Sequence, residues 1–226
     1  KRKAIIRKLP AFETLGATSI ICTDKTGTLT QNKMTVVDNY ISKDGEYSFE
    51  INIEKAPKNE KYFLLASILC NDSDINEEGK ETGDPTEVGL INFAKNNSID
   101  FKKIRDEYRR KGEIPFDSGR KIMSTVNEVD GKTIMFSKGA PDIILSRCKY
   151  ALVNRKVVDL NENILNEYKA KNEEFSNRAL RVLAFAMKEI NNESFVPALD
   201  DEFDLTLIGL TAMIDPPRES VYDAIK

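Results

Sequence analysis

The sequence has 226 residues, of which 40% are hydrophobic and 31% are charged, as is usual for a globular protein. Its 34 basic and 37 acidic residues give a net charge of −3, which argues against a nucleic-acid-binding surface. The absence of histidine excludes histidine-based catalytic triads and histidine metal ligands. Cys22, Cys70 and Cys148 are widely spaced in apolar surroundings, so we expect buried free thiols rather than disulfides or a zinc site.

Helices and strands alternate in the first half of the chain. Isoleucines and a cysteine run together over 18–23 and predict a short buried strand. A helix is predicted over 60–70. A second helix is predicted after Asp84, which can serve as its N-cap, with Pro85 at the first helical position. No apolar stretch approaches the ~20 residues of a membrane-spanning helix, so we expect no membrane span in this chain.

The second half of the chain is predicted to contain more strands than helices. Residues 121–139 are rich in β-forming residues on both sides of the dipeptide Asp130-Gly131, a pattern that predicts a hairpin. The other predicted elements are helices over 139–148 and 161–175 and strands over 179–190 and 203–214.

Two turn-like segments divide the chain, one over 30–34 and one over 215–220. Two adjacent prolines stiffen the second segment and exclude both a helix interior and a central strand there. The roughly 180 residues between them are enough for one domain. We therefore predict that 33–214 is a domain inserted between 1–32 and 215–226, which would be two parts of another domain.

Asp24 follows the first predicted strand directly and is the first candidate functional residue. An aspartate at the end of a strand can take up a phosphoryl group, bind magnesium or cap a turn. Lys25 can neutralise phosphate charge, Gly27 lets backbone amides approach a phosphate, and Thr26 and Thr28 add hydroxyl groups. The chain has no Walker A motif, which excludes a P-loop nucleotide site.

The stretch DKTGTLT (24–30) resembles the phosphorylation motif of the P-type ATPases, cation pumps of the haloacid dehalogenase superfamily, and its flanks resemble the calcium-transporting branch. The resemblance implies that Asp24 attacks the γ-phosphate of ATP and becomes an aspartyl phosphate. Lys25 would neutralise charge. Asp24 and the backbone carbonyl of Thr26 would bind Mg²⁺, and the Thr26 side chain would contact the phosphate, with Thr28 nearby.

Thr26 stands where phosphatases of this superfamily carry a second aspartate. That aspartate protonates the leaving group and activates water, and a threonine cannot do so near neutral pH. We therefore expect an aspartyl phosphate on this chain to be long-lived, which suits a pump better than a phosphatase.

Further segments resemble the nucleotide-binding domain of the same family, namely GDPTEVGL (83–90), IPFDSGRKIMS (114–124), FSKGAPD (136–142), RALRVLAFA (178–186) and the hinge DPPRES (215–220). The resemblance implies that Phe116 stacks on adenine, that Glu87 contacts the adenine amino group and that Lys138 lies at the back of the pocket. The full set of residues that it implies for ATP binding is Glu87, Phe116, Arg120, Lys121, Met123, Lys138, Gly139, Arg181, Asp215 and Arg218.

These residues also have simpler interpretations. Phe116 could be a core aromatic, because most aromatic side chains are buried. Glu87 could form a capping box with Asp84 at the start of the second predicted helix. Lys121 could be a solvated strand residue, and Lys138 could simply be a lysine at the end of a strand before a helix begins.

The resemblance covers essentially the whole sequence and implies an α+β fold, in which an antiparallel sheet flanked by helices is inserted in an incomplete haloacid-dehalogenase-like α/β phosphorylation domain. It implies the cytoplasmic part of a membrane pump for a cation, with calcium favoured, ATP and Mg²⁺ as cofactors, and actuator and transmembrane domains as partners. Alone, the chain is expected to bind nucleotide weakly with little turnover. The alternatives are a haloacid-dehalogenase-type phosphatase and a non-catalytic nucleotide-binding module.

Overall fold

The computed structural model describes residues 17–42, 58–191 and 195–224. Its contacts divide the chain into two compact units, a larger one over 33–216 and a smaller one that combines 1–32 with 217–226. The larger unit ends at residue 216, two residues after the predicted end of the inserted domain at 214. The domain boundaries remain a prediction. The larger unit is a mixed α/β domain, and the candidate nucleotide residues other than Arg218 belong to it.

An eight-stranded sheet forms the centre of the larger unit within the described residues. Its strands, together with those of a separate two-stranded ladder (β2 and β3), are β1 (Thr35–Tyr40), β2 (Asp74–Ile75), β3 (Glu81–Thr82), β4 (Arg110–Asp117), β5 (Ile122–Val129), β6 (Lys132–Gly139), β7 (Cys148–Val153), β8 (Lys156–Asp159), β9 (Arg181–Ile190) and β10 (Leu205–Ile214).

Strand β10 organises the sheet because both of its edges are paired. One edge pairs with β9, from which β6, β5 and β4 follow outward in that order. The other edge is shared, with β7 pairing at 205–207 and β1 pairing at 210–214. Only the β7–β10 pairing among the described strands is parallel, so the predicted antiparallel sheet is confirmed.

Helices cover both faces of the sheet. The helices are α1 (Lys58–Leu69), α2 (Pro85–Asn96), α3 (Phe101–Glu107), α4 (Pro141–Arg147), α5 (Glu162–Asn177) and, in the smaller unit, α6 (Glu219–Ala224). We call the side packed against α1, α2 and α3 the α1 face; its core includes Met123, Phe136 and Phe185. The side packed against α4 and α5 is the α5 face; its core includes Ile122 and Ala184. Neighbouring residues of a strand thus contribute to opposite cores, as strand geometry requires.

Local sequence signals account for several of these elements. Asp84 caps α2 through a hydrogen bond from the Thr86 amide to its carboxylate, and Pro85 occupies the first helical position as predicted. The β5–β6 hairpin turns at Asp130 and Gly131, both with left-handed φ angles of 50° and 75°. The predicted helices and strands from residue 60 onward are confirmed.

The prediction of a buried strand over 18–23 is wrong. These residues form no strand, and Ile20 and Ile21 are 77% and 78% exposed. A buried strand needs neighbouring strands to pair with, and none of the strands or β-bridges among the described residues includes this segment. The expectation of three buried thiols fails for the same reason at Cys22, which is exposed, whereas Cys70 is buried and Cys148 is half-buried.

The hydroxyl group of Tyr168 is expected to contribute measurably to stability. It accepts a hydrogen bond from the Ser42 amide (3.1 Å) and donates to the carbonyl of Ile208 (3.2 Å), next to a shift in the β9–β10 register. Tyr168→Phe leaves these buried groups unpaired and should lower the free energy of unfolding in urea by about 1–2 kcal/mol. Tyr150→Phe removes a hydroxyl from a partly exposed tyrosine and serves as the control; an equal loss in both variants would contradict the assignment.

Candidate functional site

A buried ion pair on the α1 face joins helix α2 to strand β6. The ammonium of Lys138 lies 2.5 Å from Oε1 of Glu87, and the two side chains are only 7% and 15% exposed. The second carboxylate oxygen of Glu87 accepts a hydrogen bond from the Asp72 amide (3.0 Å). Both oxygens are therefore used away from Asp84, and the capping-box interpretation of Glu87 is wrong. Lys138 does lie at the end of β6 just before α4, as its simpler interpretation has it, and its side chain is in addition buried in this ion pair.

Met123 lies beside this ion pair on strand β5. It is the partner of Lys138 in the β5–β6 register and is fully buried. Its carbonyl accepts a hydrogen bond from the thiol of Cys70 (3.4 Å). Burial raises the pKa of the Cys70 thiol to about 11, so the thiol stays protonated and acts as a donor rather than a nucleophile near neutral pH.

Gly139 and Lys121 meet where the β4–β5 loop passes the end of β6. A Cβ atom on Gly139 would lie 2.5 Å from the carbonyl oxygen of Lys121, so no larger residue fits there without moving the backbone. The same carbonyl accepts a hydrogen bond from the Ala140 amide (3.0 Å), and Lys121 itself has a left-handed φ of 55°. The loop is thus held against the strand that carries Lys138.

Phe116 projects from β4, which is an edge strand of the described sheet. It is 60% exposed, so the alternative interpretation as a core aromatic is wrong. A large apolar side chain left in water on an edge strand is available for contact with a ligand.

Arg181 contacts Thr86, the residue before Glu87 on α2, whereas Arg120 is bound elsewhere. Arg181 begins β9 and donates to the hydroxyl of Thr86 at the start of α2 (3.0 Å). The guanidinium of Arg120 instead binds Glu202 (2.5 Å) and the carbonyl of Pro115 (2.6 Å). The predicted pocket residue Arg120 is therefore committed to a structural contact.

Asp215 and Arg218 stabilise the two units separately. In the larger unit, the carboxylate of Asp215 accepts a hydrogen bond from the Lys33 amide (3.1 Å), which ties the two chain ends of that unit together. In the smaller unit, the guanidinium of Arg218 donates to the carbonyl of Gly27 (2.8 Å), and its amide donates to the carbonyl of Leu29 (2.9 Å).

The four predicted catalytic residues of the smaller unit are all exposed, namely Asp24, Lys25, Thr26 and Thr28. The turn over Lys25–Leu29 is closed by the hydroxyl of Thr30, which accepts a hydrogen bond from the Gly27 amide and donates to the Lys25 carbonyl (both 3.2 Å). The φ of Gly27 is 74°, a value that favours glycine. The turn leaves the Asp24 carboxylate accessible to a ligand.

Comparison with known proteins places this sequence in a family. The family model described as "P-type ATPase, cytoplasmic domain N" matches residues 59–220. The chain belongs to this family, the cytoplasmic N domain of the P-type ATPases. Among similar proteins, a calcium-transporting ATPase of Listeria monocytogenes is 52% identical over 226 residues, and calcium-transporting ATPases of Lactococcus lactis and Bacillus cereus are 48% and 43% identical over 225 residues.

These alignments cover the whole of this chain but only about a quarter of the relatives, 26%, 25% and 25% of their respective lengths. The N domain described here is therefore similar to one part of a longer protein. Within the described residues, every helix is too short or too polar to cross a membrane.

Sequence reasoning missed two contributors to the N-domain site. Asp72 supplies its backbone amide to the carboxylate of Glu87. Glu202 binds Arg120 and is fully buried, although its neighbour Asp200 is exposed. No local pattern distinguishes Glu202 from its exposed neighbour, because its burial depends on partners more than fifty residues away.

The ion pair between Glu87 and Lys138 should be important for stability. Glu87→Gln leaves a buried ammonium without a counter-charge and should lower the free energy of unfolding by about 3 kcal/mol, and adding Lys138→Met should restore part of the loss. Glu189→Gln disrupts the exposed pair with Lys132 and should leave the free energy of unfolding almost unchanged, because solvent screens an exposed pair. Equal losses for Glu87→Gln and Glu189→Gln in chemical denaturation would refute this assignment.

Proposed function

We propose that this chain is the ATP-binding and phosphorylation part of a P-type cation-transporting ATPase, and that Asp24 forms its aspartyl phosphate. The observation that carries the proposal is the buried pair of Lys138 and Glu87, in an N-domain fold that also presents an exposed Phe116. A stable core would normally bury the aromatic ring and expose the ions. This reversed arrangement is what a site for an amphipathic nucleotide requires.

Adenine is proposed to stack on Phe116, which removes the exposed ring from water. The Lys138–Glu87 pair would form the polar end of the base pocket, with Glu87 accepting from the adenine amino group through lone pairs that its present contacts leave available. Arg181 and Lys121 would contact the ribose and phosphate groups. Met123 would supply an apolar surface beside the base, with Gly139 allowing close approach of the backbone.

In the phosphorylation step, a carboxylate oxygen of Asp24 attacks the γ-phosphorus of ATP, the bond from that phosphorus to the β,γ-bridging oxygen breaks, and ADP leaves. Lys25 would offset the negative charge of the phosphoryl group. Asp24 and the carbonyl of Thr26 would hold Mg²⁺, which supplies further charge neutralisation. The smaller unit would then be part of a haloacid-dehalogenase-like domain, with Thr28 beside the phosphoryl group.

Thr26 favours a pump over a phosphatase of the same superfamily, because a threonine cannot activate water for hydrolysis of the aspartyl phosphate. Calcium is the proposed cation, since the three relatives described above are named calcium-transporting ATPases. The whole protein would add actuator and transmembrane domains, and this chain would be its cytoplasmic part. A role as a non-catalytic nucleotide-binding module is the alternative if Asp24 is never phosphorylated.

Replacement of Phe116 should separate nucleotide binding from stability. Phe116→Ala should raise the Kd for ATP about tenfold, because base stacking on an aromatic ring contributes 1–3 kcal/mol. The free energy of unfolding should hardly change, since the ring is 60% exposed. Val157→Ala truncates an exposed residue on β8 and is the control in calorimetric titrations with ATP. An unchanged ATP affinity in Phe116→Ala would remove the stacking assignment.

Replacement of Asp24 should abolish phosphorylation of the full-length protein. With γ-labelled ATP, the wild type should incorporate an acid-stable, hydroxylamine-sensitive label, because an aspartyl phosphate is an acyl phosphate. Asp24→Asn should incorporate none, while the control Asp106→Asn, at an exposed position on α3, should label normally. Labelling of Asp24→Asn at the wild-type level would contradict the nucleophile assignment.

A further inference from the structure

A fully buried carboxylate lies beneath the β4–β5 loop. Glu202 ends the short turn Leu199–Glu202 between β9 and β10, and its side chain is 0% exposed. Removing a carboxylate from water is costly unless charged partners and hydrogen bonds compensate. The partners of the Glu202 carboxylate therefore indicate which part of the structure it stabilises.

Three side chains bind this carboxylate. Oε2 of Glu202 accepts hydrogen bonds from Arg120 (2.5 Å) and Arg147 (2.8 Å), and Oε1 accepts one from the hydroxyl of Ser124 (2.8 Å). Ser124 in turn contacts the hydroxyl of Ser137 on β6 (2.8 Å). The carboxylate therefore connects the turn before β10 to β5, β6, α4 and the β4–β5 loop.

Arg120 transmits this anchoring to the loop. Its second terminal nitrogen donates to the carbonyl of Pro115 (2.6 Å), and its amide donates to the carboxylate of Asp117 (2.8 Å). These contacts engage the residues on either side of Phe116. The next residue, Lys121, is held by the hydrogen bond between its carbonyl and the Ala140 amide. Glu202 thus fixes the guanidinium that shapes the loop from Pro115 to Lys121.

Glu202 lies on the opposite side of the sheet from the buried ion pair. Met123 belongs to the α1 face with Lys138, so the adjacent Ser124, which binds Glu202, points to the α5 face. A ligand bound by Lys138 and Glu87 therefore does not touch Glu202. Any effect of Glu202 on such a ligand acts through Arg120 and the loop.

We propose that Glu202 is a positioning residue for nucleotide recognition, which acts through Arg120 to hold Phe116 and Lys121 in place for the base and the phosphates. This inference rests on the proposed function. It also gives Arg120 a different role from the direct ligand contact that the sequence suggests, since its guanidinium is bound by Glu202 and Pro115. The loop is ordered before the nucleotide arrives, which lowers the entropic cost of binding.

The test is calorimetric titration of the 226-residue chain with ATP, in the wild type and in Glu202→Gln. Loss of the charge should free Arg120 and raise the Kd about tenfold, because the stacking residue is no longer preorganised. Amide hydrogen exchange over 115–121 should become faster in the same variant. Asp200→Asn, an exposed carboxylate in the same turn, is the matched control and should leave both measurements unchanged. A folded Glu202→Gln with the wild-type Kd would overturn the proposal.

A double variant separates positioning from a general loss of structure. Because Glu202 places Lys121 as well as Phe116, Glu202→Gln should raise the Kd of Phe116→Ala by clearly less than its roughly tenfold effect in the wild type, since one of the two placed groups is already gone. Fully additive effects would overturn the proposal. If Glu202→Gln does not fold, Arg120→Lys replaces it, since lysine keeps the charge but lacks the planar guanidinium whose two terminal nitrogens bind Glu202 and Pro115; an unchanged Kd there would equally overturn the proposal.

The outcome for the wild type distinguishes this inference from the proposed function. A wild-type chain that binds neither ATP nor ADP removes the proposed function, and with it the basis of the inference. A wild-type chain that binds ATP while Glu202→Gln binds it equally well leaves the proposed function intact and overturns only the positioning role.

Discussion

The antiparallel pairing of β1 with β10 is the constraint on which the larger unit depends. Thr35 faces Ile214 in this register, so the strand that enters the unit and the strand that leaves it lie side by side. The hydrogen bond from the Lys33 amide to Asp215 extends the same closure by one step. A unit whose ends meet in this way can be inserted into another chain without separating its two parts.

Strands β5 and β6 contribute different side chains to the two faces of the sheet. Because consecutive side chains alternate, β5 and β6 present Met123 and Lys138 to the α1 face and Ser124 and Ser137 to the α5 face. The α1 face carries the groups proposed to contact the nucleotide. The α5 face carries the hydrogen bonds that anchor the loop between β4 and β5. Adjacent residues of the same strands thus serve two purposes. One set is proposed to contact the nucleotide, and the other holds the β4–β5 loop in place.

Local features of the fold could be predicted because they depend on short stretches of sequence. Asp84 and Pro85 specify the start of α2 by their own side chains, and Asp130-Gly131 specifies the β5–β6 turn by its backbone preference. The resemblance likewise placed Lys138 and Glu87 in one predicted pocket, and the structure brings the two side chains together. Apolar composition misled the prediction at 18–23, because a run of isoleucines forms a buried strand only where neighbouring strands exist to pair with it.

The sequence by itself determined the family, the order of most helices and strands, and the identity of the residues proposed to bind ATP and to take up phosphate. Only the tertiary structure decided that Phe116 is exposed, that the Lys138–Glu87 pair is buried, and that Arg120 is bound by Glu202. The physical reason is that burial and ion pairing depend on which distant segments meet across the sheet. A carboxylate such as Glu202 has the same local pattern whether it faces water or two arginines.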